Sequence, residues 1–379
     1  MSATQLRVTV VAPELCATRG MWGDGSGGWQ PKAVAWVSRL AELGVPYDVT
    51  DAPTGQPGVV IDAEDLGVDG EDVISLATPA SPDDTLQMLA EHLGAVVVPD
   101  LRGVLVLRLD DPGAAVKEHL NGWAHPPVTE ETWEALWRAL DGFGRVSVFC
   151  CPGYVRADGR VVDSRDVLPR EWAALDAGVR RGVADLECHG FTHMDPEVEA
   201  WASADDRLDN AEWFRELWPS RRSREPEVES QQRILSAWQK AIGTTGTAVV
   251  APGERWGLNT LEAARRCGFR LFNSWGLCFL DRVVPTWSAG VGSPYLDEVD
   301  GDAIATGLPQ VGYWHDRDMA LRGAQWVPEQ LERWRDAGVH RVHSFAELLS
   351  AYEPLDAWLE NGNVQLRSAP SGPLRVIRR

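Results

Sequence analysis

Apolar positions in the first hundred residues fall into two periods, two and 3.6. The run RVTVVA at 7–12 has no polar face and reads as a buried strand. Over 31–43, Val34, Val37, Leu40 and Leu43 recur at helical spacing. VPYDVT and PGVVID read as short strands. DDTLQMLAEHLG reads as a second helix stopped by Gly94, and AVVVP as another strand. This alternation predicts an open α/β domain over residues 1–100.

A second series starts at GVLVLRLDD. Strand-like runs follow at RVSVFCC, VADLECH, TAVVAP, RLFNS and near GLPQVGYW. Between them lie the amphipathic stretches EETWEALWRAL, PREWAALDAGVRRG, EPEVESQQRILSAWQKAIG, NTLEAARRCG and PEQLERWRDAG. Repeated strand–helix units over 101–352 predict a (β/α) barrel, whose working residues sit just past the strand C-termini. The final stretch, 353–379, contains NVQLRSAPSGPLRVIRR, which alternates like a short hairpin turning at SGP and is expected to be a strand appendage.

Composition narrows the partners. A net charge of −20 repels nucleic acid and anionic membranes. No apolar run approaches the ~18 residues of a membrane span. The first residues lack the pattern of a secretory signal, so a cytoplasmic protein is expected. The six cysteines form no C-x-x-C pair and are expected to be free thiols. Most of the eighteen tryptophans are expected in the core, with a few walling a substrate pocket. GDGSGGW at 23–29 lacks the phosphate-loop pattern G-x-x-x-x-G-K-[ST] and reads as an ordinary loop.

The chemistry concentrates in two places. Asp110 and Asp111 close the apolar run LVLRL, and a buried strand seldom ends in two carboxylates without a partner for them. His189 and His193 stand four apart in ECHGFTH, a spacing that places both imidazoles on one helical face. One aspartate with two histidines suits a divalent metal, and the other aspartate is then left beside it.

The order of these features resembles carbohydrate esterase family 4, the polysaccharide deacetylases of NodB homology. Arg108-Leu109-Asp110-Asp111-Pro112 stands where that family has Thr-Phe-Asp-Asp-Gly. Ser147-Val148-Phe149-Cys150-Cys151-Pro152-Gly153 follows as its Ala-Thr-Phe-Phe strand does, and RRGVADLECHGFTH matches the layout of its His-Ser/Thr-x-x-His motif. APGERWGLNTLEAARRCGF falls where Arg-x-Pro-x-Gly and a short helix are expected, and Gly312-Tyr313-Trp314-His315-Asp316 takes the place of Leu-x-His. The resemblance covers about residues 103–350.

The resemblance implies a distorted (β/α) barrel of NodB type. It makes Asp111, His189 and His193 the ligands of a divalent metal, Zn²⁺ first, with Co²⁺, Mn²⁺ or Ni²⁺ as alternatives. It makes Asp110 the general base and His315 the acid that protonates a leaving amine. A backbone N–H near Gly253 or Glu254 would bind the oxyanion, with Trp256 and Trp275 as further substrate contacts. The family's third-motif arginine, expected near Ala251, is missing; Arg255 is the candidate replacement. The fourth-motif aspartate has no match around Asn273–Trp275, and Asp316 is the candidate to hold His315. The expected enzyme is a metal-dependent hydrolase of carbon–nitrogen bonds other than peptide bonds, a deacetylase of a small molecule or sugar conjugate. Its rivals are hydrolysis of another linear or cyclic amide and a degenerate binding module. The N-terminal domain is expected to cover one side of the cleft or to mediate homo-oligomers.

Overall fold

The computed structural model describes residues 4–17, 33–52, 59–64, 66, 68, 73–74, 78–282, 286–288, 291–353 and 355–379. The glycine-rich segment 23–29 lies outside them.

Six parallel strands form the centre, in the order Gln310–His315, Val104–Asp110, Val146–Cys150, Ala184–Cys188, Ala248–Val250 and Leu271–Asn273. Arg341–His343 adds a short parallel strand beside the start of Val104–Asp110. At the other edge Leu277–Phe279 and Thr286–Ser288 run antiparallel, a hairpin that the strand–helix pattern does not anticipate. Among the described residues no ladder joins Thr286–Ser288 to Gln310–His315, so the ring is an open, distorted (β/α) barrel.

Strand alternation sorts side chains into two layers. Leu105, Leu107 and Leu109 pack outward with Trp133, Leu136, Trp137, Trp172 and Leu175 of the surrounding helices. Val104 and Val106 pack on the inner face with Val250, Leu271 and Val311. Arg108 and Asp110 continue this inner row toward the C-terminal mouth. The helix Glu130–Leu140 shows why the outer layer forms. Thr129 caps it by accepting the Thr132 N–H at 3.2 Å, and Trp133, Leu136, Trp137 and Leu140 make one apolar stripe.

The N-terminal layer is a parallel sheet in the order Tyr47–Thr50, Val8–Val11, Val59–Asp62, Val73–Ile74. Its helix Val34–Leu43 faces the barrel's edge hairpin. The Ser288 hydroxyl donates to Glu42 at 3.0 Å, Tyr47 and Thr286 share a hydrogen bond of 2.8 Å, and the Tyr352 hydroxyl donates to the Glu42 carbonyl at 2.8 Å.

The C-terminal strands depart from the expected hairpin. Asn363–Leu366 pairs with Ala357–Glu360, turning at Asn361 and Gly362, both with positive φ (51° and 77°). Asn-Gly supplies the conformation that a tight hairpin needs. Leu374–Arg378 pairs instead with Ala95–Pro99, and Ala357–Glu360 also pairs with Thr4–Gln5. SGP therefore joins two different sheets, and residues 353–379 are stitched to the N-terminal part of the chain.

Candidate metal centre

The strand Val104–Asp110 ends with Asp110 still extended and Asp111 turned into the left-handed region, φ 78°. The next strand but one ends at Cys188, delivering His189 and His193 to the same mouth. Ligand atoms of Asp111, His189 and His193 all lie within 4.8 Å of one another, and all three residues are buried. Asp111 Oδ1 is 3.1 Å from His189 Nε2 and 3.3 Å from His193 Nε2. The indole of Trp123 donates to Asp111 Oδ2 at 3.2 Å.

The two imidazoles do not meet on a helix, as their spacing suggested. Residues 189–193 form a bent loop in which His193 has φ 64°. The buried Glu216 carboxylate shapes this loop. It accepts the N–H groups of Phe191 (2.8 Å), Thr192 (3.0 Å) and His193 (3.1 Å), and the Thr192 hydroxyl (2.8 Å). Burial pushes the Glu216 carboxyl up against the lowering effect of those donors. Three non-glycine residues at this mouth have positive φ, Asp111, His193 and Glu254 (52°). Backbone strain of this kind persists where surrounding structure enforces it.

The donor set fits a cation. His189 Nδ1 lies 3.1 Å from the Val250 carbonyl, which can only accept, so the proton sits on Nδ1. Nε2 then faces the Asp111 carboxylate at 3.1 Å, a gap that either a proton or a cation satisfies, and a carbonyl that orients a histidine from behind in this way is common at metal sites. Burial opposes the charged form of Asp111, but His189, His193 and His315 outweigh it and hold its carboxyl well below the carboxylate range. Burial likewise opposes a charged His193, yet Asp111 raises its pKa.

Beside the cluster, Asp110 is gripped by Arg108 from two positions earlier on the same inner face. Arg108 Nε donates to both Asp110 oxygens at 2.9 Å. Its other nitrogens donate to Asn273 (2.8 Å) and Glu254 (3.0 Å). Alternation explains the reach, since residues i and i+2 share one face about 6.6 Å apart. Arg255, the expected partner of Asp110, lies elsewhere. Its guanidinium covers the ring of Trp218 at 4.8 Å and its Nη2 is 3.5 Å from the Arg222 carbonyl. The chain direction after Pro252 carries it out of the mouth.

His315 ends the strand Gln310–His315 beside Asp110 in the parallel ladder, edge-on to Trp123 with ring centroids 5.0 Å apart. Its Nδ1 is 3.6 Å from Asp318, which also accepts the His315 N–H at 3.0 Å. Asp316, the residue expected to hold it, instead pairs with Lys117 at 2.7 Å and with His125 at 3.4 Å. A helix starts at Asp316, so position i+3 and not i+1 turns back to the capping residue. Burial opposes the imidazolium, but Asp318, Asp111 and Asp110 together raise the His315 pKa to about 9.

These groups line one cleft of about 280 Å³ with Phe214, Tyr295 and Tyr313. Gly253 and Glu254 also line it, although the Glu254 N–H is engaged by the Ala251 carbonyl at 3.1 Å. Trp256 does not face it. Trp256 is buried in the outer core, stacked on Trp287 at 5.3 Å, with its indole donating to Ser274. Trp275 is 69% exposed and stands outside the cleft lining. Sequence reading missed Arg108, Glu216, Trp123 and Asp318. A charged residue inside LVLRL was the available signal for Arg108.

A mostly parallel α/β barrel with an Asp-His-His cluster at its C-terminal mouth is the class that fold and site define. No protein-family model and no curated protein matches the chain. Solved structures that it is similar to include carbohydrate esterase family 4 proteins, a peptidoglycan deacetylase and a 4-alpha-glucanotransferase. The Xyl-CE4 domain of a multidomain xylanase from the hindgut metagenome of Trinervitermes trinervoides is 13% identical, with 66% of this chain and 92% of that one covered and a TM-score of 0.37. The family 4 carbohydrate esterase of Streptomyces lividans, in complex with acetate, is 15% identical, with coverages of 63% and 91% and a TM-score of 0.31. The peptidoglycan deacetylase PdaC of Bacillus subtilis is 13% identical, with coverages of 65% and 90% and a TM-score of 0.34. At these scores the functional reading rests on the cleft's own geometry. Among the described residues no helix is long and apolar enough to cross a membrane.

Proposed function

We propose that the protein is a metal-dependent hydrolase that removes an acetyl group from a nitrogen of a small molecule or sugar conjugate. The observation that carries this reading is the meeting of three groups in one cleft: the Asp111–His189–His193 cluster, the adjacent carboxylate of Asp110, and His315 on the neighbouring strand. The cluster would hold a divalent ion, Zn²⁺ first, and when bound that ion supplies Lewis-acid polarisation of the acyl oxygen and activation of water. Asp110, fixed by Arg108, accepts the proton of the attacking water. His315, kept protonated by Asp318 and the cleft carboxylates, gives a proton to the departing amine. An amine leaves poorly without it. A volume of about 280 Å³ is at the lower edge of ligand pockets, about 300–1,000 Å³, which favours a small amide or one sugar unit.

Elemental analysis of the purified chain after Zn²⁺ loading, followed by acetate release from a panel of N-acetylated amines and amino sugars, tests the reading. One tightly held ion and acetate release support it. No retained ion would make the barrel a binding module. An ion without acetate release from any amide would point to another acyl group or a cyclic amide. His315→Ala should slow amides far more than 4-nitrophenyl acetate, whose leaving group needs no proton. Equal losses would remove His315 from the acid role.

A further inference from the structure

The opposite end of the barrel holds a second cavity of about 350 Å³. Its floor is the start of the strands Val104–Asp110 and Arg341–His343. One wall is the helix Phe345–Ala351, and the segment 368–374 closes it. That segment is fastened at two points: the Asp100 N–H donates to the Pro373 carbonyl at 2.9 Å, and the Ser371 hydroxyl to the Ser350 carbonyl at 2.5 Å. His343 lines the cavity and is 7% exposed, and neither of its ring nitrogens has a hydrogen-bond partner among the described residues. A buried imidazole with both nitrogens unpaired is destabilising and calls for an explanation.

The surrounding charges indicate what it awaits. Burial lowers the His343 pKa to about 4, and the neighbours that lower it further are Arg341 and His340. Both line the same cavity, and Arg341 makes no ion pair among the described residues. The carboxylates of the lining are already engaged. Asp100 is bound by Arg102 at 2.6 Å, Glu347 accepts the Ser344 N–H at 2.9 Å, and Glu353 lies 3.8 Å from Arg270. What remains is one fork-shaped guanidinium and two imidazoles with donors to offer.

We propose that this cavity is a binding site for a compact phosphate group, free or carried by a small monoester, held by Arg341, His340 and His343. A guanidinium beside neutral donors suits a tetrahedral oxyanion, because each oxygen can accept separately. The site is independent of the metal cluster, which lies at the other end of the strands.

Calorimetric titration of the full chain, stripped of metal with EDTA, tests the proposal with inorganic phosphate and glycerol 3-phosphate as probes. One-to-one binding is expected, weakened about tenfold or more in Arg341→Ala and in His343→Leu, the loss expected for one charge-assisted hydrogen bond. Asp111→Asn should leave it unchanged. Tighter binding of the ester would identify a phosphorylated small molecule, and equal binding would identify free phosphate. Absence of saturation with either probe below about 10 mM would overturn the proposal. Binding that survives both variants, or that disappears in Asp111→Asn, would do the same. If His343→Leu does not fold, the His343 ring resonances of the unaltered protein must shift with phosphate; unshifted resonances would sink the idea.

Discussion

Replacing Arg108 by Met keeps the length of the side chain and removes its charge. The guanidinium is 2% exposed and supplies the hydrogen bonds found for Asp110, itself 2% exposed, as well as one each to Asn273 and Glu254. Stranding one member of a buried ion pair costs about 3–5 kcal/mol. Glu254 adds little to this, since it is 30% exposed and water can reach it. At about 2.1 cal/mol/K of unfolding entropy per residue, about 1 kcal/mol moves Tm of a 379-residue chain by about 1.3 °C, so a fall of about 4–6 °C is expected. Differential scanning fluorimetry at fixed scan rate measures it. The second arm is the double variant Arg108→Met/Asp110→Asn, which has no stranded carboxylate and should recover about half of the loss. A fall under about 2 °C in Arg108→Met, or a double variant no more stable than the single one, would refute the claim that Arg108 exists to hold Asp110. Turnover should drop about 10²-fold in Arg108→Met with KM little changed, because the carboxylate is present but no longer aimed.

Glu216→Gln should weaken metal binding about 10–100-fold, read by competition with a chromophoric chelator, although Glu216 touches no ligand atom; an unchanged affinity would show that the 189–193 loop holds itself. In the metal-free protein His315 should titrate near pH 9 by NMR. Its folded pKa is above the ordinary 6.5, so the stabilisation it brings is complete below about 6.5 and is lost as pH rises through about 9. Zn²⁺ should lower that value by offsetting the carboxylates, and His315→Gln should flatten stability across the same window. Trp256→Ala should destabilise by about 3–5 kcal/mol as a core truncation, whereas Trp275→Ala should leave Tm unchanged; chemical denaturation separates them.

The elements with strong periodicity were legible in the sequence. Trp133, Leu136, Trp137 and Leu140 make a stripe that only a helix satisfies, and the strands carrying Asp110, His189 and His315 end where the chemistry begins. The edge hairpin at 277–288 was not legible, because three-residue strands are too short for periodicity to register. Asn361-Gly362 is the C-terminal hairpin's own turn signal, nine residues before Ser371 of the SGP expected to form it. The meeting of His189 and His193 with one of two aspartates was legible in residue types and order, and the choice of Asp111 came from the family resemblance. The supports of the site were not legible, because Glu216 and Asp318 act through backbone N–H groups, and nothing in a carboxylate's sequence neighbours reveals which amides it will accept from. Arg255 was chosen for proximity in sequence to Ala251, whereas the contact that matters spans two residues of one strand.

The pairing of Leu374–Arg378 with Ala95–Pro99 has a consequence for synthesis. The strand AVVVP leaves the ribosome about 275 residues before its partner, taking residues 99 and 374 as the ends of the interval. At about 5–20 residues per second that is a wait of roughly 15–55 s. Throughout it, five residues that end up fully covered present an open edge of backbone donors and acceptors, the arrangement that invites pairing with another chain. The barrel has time to form first, as a complete insertion between the two halves of a sheet that cannot yet exist. Chains that end before Leu374 lack the strand that pairs with this edge and leave its backbone groups open to another chain.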